Sequence, residues 1–88
     1  MTTKVNIYCL FESDGNFYGV YSSLKAAHRD ALKISNKGIR EVFLEANGIY
    51  HKATFAKLRS FFQGEMDKKI RYVSGTHGAF IVKTKLKE

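Results

Sequence analysis

Apolar and polar side chains alternate along much of this chain, and the period of the alternation changes several times. Val5-Asn6-Ile7-Tyr8-Cys9-Leu10-Phe11 repeats every second residue, with Val5, Ile7, Cys9 and Phe11 on one side. Tyr8 and Leu10 make the other side partly apolar, so the spacing predicts an interior strand. Ser13-Asp14-Gly15-Asn16 is a turn in which glycine takes positive φ without steric cost, and Phe17 to Tyr21 returns as the second strand of a hairpin. The period then becomes helical. Ser22 and Ser23 stand where an N-cap hydroxyl accepts from an orphaned backbone N–H. Beyond them Leu24, Ala27, His28, Ala31 and Leu32 share one helix face, and Asn36-Lys37-Gly38 is a stop signal.

The same order then recurs. Ile39 to Glu45 reads as a third strand, Asn47-Gly48 as a two-residue hairpin turn, and Ile49 to Lys52 as a fourth strand. Thr54 caps a second helix whose apolar face is Phe55, Leu58, Phe61 and Phe62, closed by Gly64. After a solvated loop, Glu65 to Lys69, the strands Ile70 to Ser74 and Ala79 to Leu86 are joined across Gly75-Thr76-His77-Gly78. The expectation is an α+β fold, an antiparallel sheet with two helices on one face in the order ββα-ββα-ββ. Phe11-Glu12-Ser13-Asp14-Gly15-Asn16-Phe17-Tyr18 resembles Leu44-Glu45-Ala46-Asn47-Gly48-Ile49-Tyr50. This suggests a pseudo-repeat of residues 4–38 and 39–64, followed by a basic hairpin at 65–88. With 88 residues there is room for a single domain, 1–88, burying a little over ~60% of its unfolded surface. The five tyrosines (Tyr8, Tyr18, Tyr21, Tyr50 and Tyr72) have phenol groups that favour water or a partner, and some of them are expected on the sheet face that the helices leave open.

Composition narrows the class of protein. The chain is 44% hydrophobic and has no apolar run near the roughly 18 residues of a spanning helix, so no membrane association is expected. Its first residues lack a signal-peptide layout, and Cys9 is the single cysteine, which together point to a reducing cytoplasm. Charge adds the functional clue. The net charge is +7, and residues 52–88 hold nine basic against three acidic side chains. The nine are Lys52, Lys57, Arg59, Lys68, Lys69, Arg71, Lys83, Lys85 and Lys87, and they form the expected nucleic-acid-binding set. A basic surface this lopsided attracts polyanions, of which nucleic acid is the commonest in a cytoplasm. On the last strand Lys83, Lys85 and Lys87 are expected to point away from Phe80, Val82, Thr84 and Leu86. Their spacing of ~6.6 Å is close to that of phosphates along an extended single strand. Lysines on an edge strand also protect against aggregation, and both roles can hold together.

Catalytic and metal chemistry find little footing. His28, His51, His77 and Cys9 have no metal-ligand spacing, and no metal or other cofactor is expected. Cys9 lies mid-strand among apolar residues, where a thiol stays protonated and inert. Ser74-Gly75-Thr76-His77-Gly78 lacks the Gly-Lys-Ser/Thr signature and the following helix of a phosphate loop. A small ribonuclease using His77 with Arg71, Lys83 or Tyr72 is one alternative, but the main expectation is a protein without catalysis of its own.

The stretch Phe17-Tyr18-Gly19-Val20-Tyr21-Ser22-Ser23-Leu24-Lys25-Ala26-Ala27 resembles one found in small accessory proteins of tailed phages. Small size and strong basicity are similar to those of the ToxN-inhibitory factors of T-even-like phages. That resemblance implies an RNA-binding protein, acting in the host cytoplasm, that inhibits a host defence factor such as the endoribonuclease toxin of a toxin–antitoxin system. Its implied partners are RNA and that host protein. An inhibitor that binds a host protein without RNA is the other alternative. A homodimer is also expected, formed through the last strand or the tyrosine-bearing sheet surface, because a small sheet leaves edges open.

Overall fold

The computed structural model describes residues 5–35, 41–63, 68–74 and 77–86. Along the chain run β1 (Val5–Glu12), β2 (Phe17–Tyr21), α1 (Leu24–Ser35), β3 (Phe43–Ala46), β4 (Ile49–Lys52), α2 (Phe55–Phe62), β5 (Lys69–Ser74) and β6 (His77–Leu86). The fold is α+β with the expected element order, and the six strands form one antiparallel sheet ordered β2-β1-β6-β5-β3-β4. The β5–β6 hairpin is its centre. On one flank β1 lies inside and β2 outside, and on the other β3 lies inside and β4 outside. The helix stops at Asn36-Lys37-Gly38 and Gly64, most of the loop after α2, and Gly75-Thr76 lie outside the described residues. The expected strand from Ile39 is shorter, starting at Phe43. Among the described residues no helix is long and apolar enough to cross a membrane.

Local chemistry accounts for the turns and helix starts. Asn47 and Gly48 both take positive φ, at 53° and 80°, which the right-handed strand twist favours in a two-residue hairpin. Ser23 Oγ accepts from Ala26 N–H at 3.3 Å, and Thr54 Oγ1 accepts from Lys57 N–H at the same distance. Each cap starts its helix immediately after a strand and lays it back over the sheet.

Both helices cover the same face. The core consists of Leu10, Leu44, Ile70, Tyr72, Ala79 and Ile81 from the strands and Val42 just before β3, against Ala27, Ala31, Ile34, Leu58 and Phe62 from the helices. In β5 the buried positions are Ile70, Tyr72 and Ser74, so Lys69, Arg71 and Val73 face the other way. Tyr21 packs against this core, and its hydroxyl donates to Asp30 of α1 at 2.6 Å, tying the outer strand to the helix. Burial and that bond push the Tyr21 hydroxyl up to about 12, and the same bond lowers the Asp30 carboxyl.

A polar pair sits inside the apolar layer. His28 Nδ1 and Tyr72 Oη are 2.6 Å apart in a buried hydrogen bond that links α1 to the middle of the sheet. Burial lowers the imidazole below its ordinary 6.5 and raises the phenol above its ordinary 10.0. Both groups are therefore neutral at neutral pH, which satisfies the bond without burying a charge.

Two predictions follow from this packing. A Cβ at Gly78 would come within 2.5 Å of the Tyr72 carbonyl oxygen, a backbone atom held in the sheet. Gly78→Ala should cost about 1–3 kcal/mol in urea unfolding; an unchanged midpoint would show that the strand yields easily. His28 supplies a pH signature. The unfolded chain takes up a proton near 6.5 while the folded protein resists it. Stability should be full above that pH and fall as the pH drops through the lowered native value. Melting temperatures measured downward from pH 7 should show this fall in the wild type and a flatter profile in His28→Gln. Parallel profiles would remove His28 as the cause.

Candidate nucleic-acid interface

The nine basic positions do not form one array. Lys83 is the clearest departure from expectation. β6 is an interior strand, paired with β1 on one side and β5 on the other, and its buried side carries Ala79, Ile81 and Lys83. The residues expected to be its core side, Phe80, Val82 and Thr84, face the open side of the sheet and are half-buried. Lys83 is 6% exposed, and its ammonium donates to the Phe62 carbonyl at 2.6 Å, at the C-terminal end of α2. A cation there satisfies an orphan carbonyl and suits the negative end of the helix dipole. Lys83 is thus a clamp between α2 and the sheet, and is removed from the basic surface.

The remaining positions divide between the two sides of the sheet. Lys57, Arg59 and Lys68 lie around α2, where the Lys57 and Lys68 ammonium groups sit 6.0 and 5.8 Å from the Phe61 ring centroid. His51 meets the same ring edge-on at 5.1 Å. Lys52, Lys69 and Arg71 belong to the open face. Lys52 is exposed and lies 4.0 Å from Glu41, a solvated pair that contributes little. Lys85 pairs through its backbone with Asn6, its side chain being outside the described set, and Lys87 lies outside the described residues altogether.

The open face has a feature that the charge pattern concealed. Cross-strand register aligns Phe17 on β2, Phe11 on β1, Phe80 on β6 and Arg71 on β5 in one row, with Glu45 of β3 and Tyr50 of β4 beyond. The Phe11 and Phe80 rings stack, with centroids 4.9 Å apart and planes 15° from parallel. Phe17 meets Phe11 edge-on at 5.6 Å and is 59% exposed. Lys69 reaches over the same group, its ammonium 4.5 Å from the Phe80 centroid. The adjacent row is Val20, Cys9, Val82 and Lys69, so the free Cys9 sits half-buried on this face. An aromatic row ending in two cations offers π-faces for unpaired bases and positive charge for the phosphates beside them.

The tyrosines are mostly elsewhere. Tyr72 is in the core, and Tyr8 and Tyr21 pack on the helix side. Tyr50 is on the open face, and Tyr18 is exposed at the bulge in β2. The open face therefore carries Tyr50, as expected of some tyrosines, together with the phenylalanines Phe11, Phe17 and Phe80. Of the groups considered beside His77, Arg71 faces the open side while Lys83 and Tyr72 are buried under the helices, and the His77 side chain lies outside the described residues. Among the described residues no three His, Cys, Asp or Glu side chains come together as a metal site.

No family model, curated protein or solved structure matches the chain.

The placement of Lys83 separates structural from binding roles. Lys83→Met keeps the apolar stem but loses a buried, charge-assisted hydrogen bond, and should cost about 1.5–3 kcal/mol of stability. Thermal melts and urea titration measure that cost. The salt dependence of polyanion binding by the folded variant should stay as in the wild type. A changed salt slope with unchanged stability would return Lys83 to the binding surface.

Proposed function

We propose that this protein binds single-stranded RNA on the open face of its sheet, using Phe11, Phe17 and Phe80 as a stacking platform with Lys69 and Arg71 on phosphates. The observation that carries the reading is the row of three phenylalanines running into Arg71, with Lys69 over its last ring. A duplex hides its base faces, whereas an unpaired strand offers one to the exposed Phe17 ring at the end of the row, at about 1–3 kcal/mol per stacked base. The +7 net charge supports the same reading by drawing in the phosphate backbone. Binding of this kind depends on stacking and charge and is tolerant of sequence.

The biological setting is carried by the likeness of the first unit to accessory proteins of tailed phages. On that likeness the protein acts in the host cytoplasm, without catalysis of its own, as an RNA-associated inhibitor of a host defence factor. The endoribonuclease toxin of a toxin–antitoxin system is the named candidate. Such a toxin and its RNA-binding inhibitor would meet on the same nucleic acid.

Gel mobility shift with a labelled unstructured RNA, at about 50 mM salt, tests the binding. Duplex RNA of equal length should compete poorly. The double variant Lys69→Ala/Arg71→Ala should lower the slope of log affinity against log salt by about 1.4, two single-strand phosphate contacts at ~0.7 each. Phe17→Ala should weaken binding about tenfold with little change in that slope. Absence of any shift at low salt overturns the RNA reading. A pull-down from host lysate that keeps its protein partner after nuclease treatment would favour an RNA-independent inhibitor instead.

A further inference from the structure

The large apolar side chains that remain exposed among the described residues are Phe17, Tyr18, Val20, Ile49 and Tyr50. All five lie on the two outer strands, β2 and β4, at the sheet's open edges. An edge strand displays unpaired backbone N–H and C=O groups, and proteins usually guard it with lysine, proline or a bulge. The two edges are guarded unequally. β4 has four residues and ends in Lys52, with Lys57 close behind on α2. β2, Phe17-Tyr18-Gly19-Val20-Tyr21, has no charged residue, and none occurs from Gly15 to Leu24. Its bulge, between Leu10 and Phe11 of the β1 pairing, affects only the Phe17–Tyr18 end.

We propose that β2 pairs antiparallel with β2 of a second copy about a two-fold axis near Gly19, joining two six-stranded sheets into one. In that register Tyr18 of each copy lies opposite Val20 of the other. This is an aromatic–β-branched pair of the kind that stabilises antiparallel strands. Gly19 meets Gly19 at the axis, where the absence of side chains lets the backbones approach. Charge selects this edge over the other. Lys69 and Arg71 stand three strands in from β2, about 14 Å away at ~4.8 Å per strand, so across the new seam the two sets are about 33 Å apart. That is several times the ~8 Å screening length at physiological salt. Pairing through β4 would instead bring the Lys52 and Lys57 charges of two copies together. The expected seam at the last strand is ruled out, because both edges of β6 are already paired.

The axis is perpendicular to the sheet, so both open faces look the same way. The two phenylalanine rows then reach the seam on opposite sides of the axis, Phe17 of each copy lying opposite Tyr21 of the other, with Lys69 and Arg71 at the far end of each row. The association itself needs no RNA, and its test is made on nuclease-treated protein so that it stands apart from the binding reading. Five residues a side make a small interface, so self-association in the micromolar range is expected. Sedimentation at about 100 µM should report twice the 10.0 kDa chain mass, falling toward 10.0 kDa on dilution to ~1 µM. Val20→Lys should weaken the dimer about tenfold or more, and Ile49→Lys, on the opposite edge, should leave it intact. Hydrogen exchange on the wild type provides the reading that no variant can spoil. Amides in Phe17–Tyr21 should gain protection with concentration, and those in Ile49–Lys52 should not. A 10.0 kDa species at the highest concentration overturns the proposal. So does a mass that keeps growing without a plateau, which marks head-to-tail pairing, or a dimer lost in Ile49→Lys and kept in Val20→Lys.

Discussion

Two short helices cannot cover both faces of a six-stranded sheet, and most of this molecule follows from that constraint. α1 and α2 hold 12 and 8 residues, and both are committed to the same side by caps that turn each hairpin back over the strands it has just left. One face therefore gathers the core, with His28 and Tyr72 bonded inside it and Lys83 reaching up to the end of α2. The other face must meet water with whatever the remaining strand positions carry. Part of it is polar, with Lys52, Lys69, Arg71, Glu45 and Thr84. The rest carries Phe11, Phe17, Phe80, Val20 and Val82.

The open face is arranged as a surface of its own. Stacking of Phe11 on Phe80 contributes about 0.5–1.5 kcal/mol beyond simple burial, and the Lys69 ammonium over Phe80 adds a further ~0.5–1 kcal/mol at an exposed site. Those contacts restrict the Phe11 and Phe80 rings to one arrangement on the open face. Electrostatics is divided in the same way. Lys83 serves the fold, Lys57 and Lys68 crowd one ring beside α2, and Lys69 and Arg71 serve the aromatic row. The net charge of +7 thus overstates how much positive charge any one surface presents.

Sheet order gives the two ββα units matching positions about the central β5–β6 hairpin, each presenting its second strand as an edge. The two edges have different chemistry. β4 is short and ends in a lysine, while β2 is neutral and apolar. Where two otherwise similar edges differ this way, association has a preferred direction, and a closed pair becomes available in place of an open fibre.

Element types, their order and the hairpin turns were legible in the amino-acid pattern, because those depend on neighbours within a few residues. Asn47-Gly48, the Ser23 and Thr54 caps and the helical spacing of Ala27, His28 and Ala31 all carry their meaning locally. Alternation in Ala79-Phe80-Ile81-Val82-Lys83-Thr84 likewise sorted the residues into two faces. What alternation cannot do is say which face is inside, since a period of two is unchanged when the strand is turned over. Phe80 and Val82 look like core beside lysine, and the expected assignment followed that local hydrophobicity. The sidedness was set across the sheet, where pairing places Ile81 between Leu10 and Ile70 and Lys83 beside Tyr8. It was set again above it, where the unsatisfied carbonyl of Phe62 gave a buried lysine its partner. The phenylalanine row belongs to the same category: Phe11, Phe17 and Phe80 come from three strands and up to 69 positions of chain, and only the register of the folded sheet lines them up.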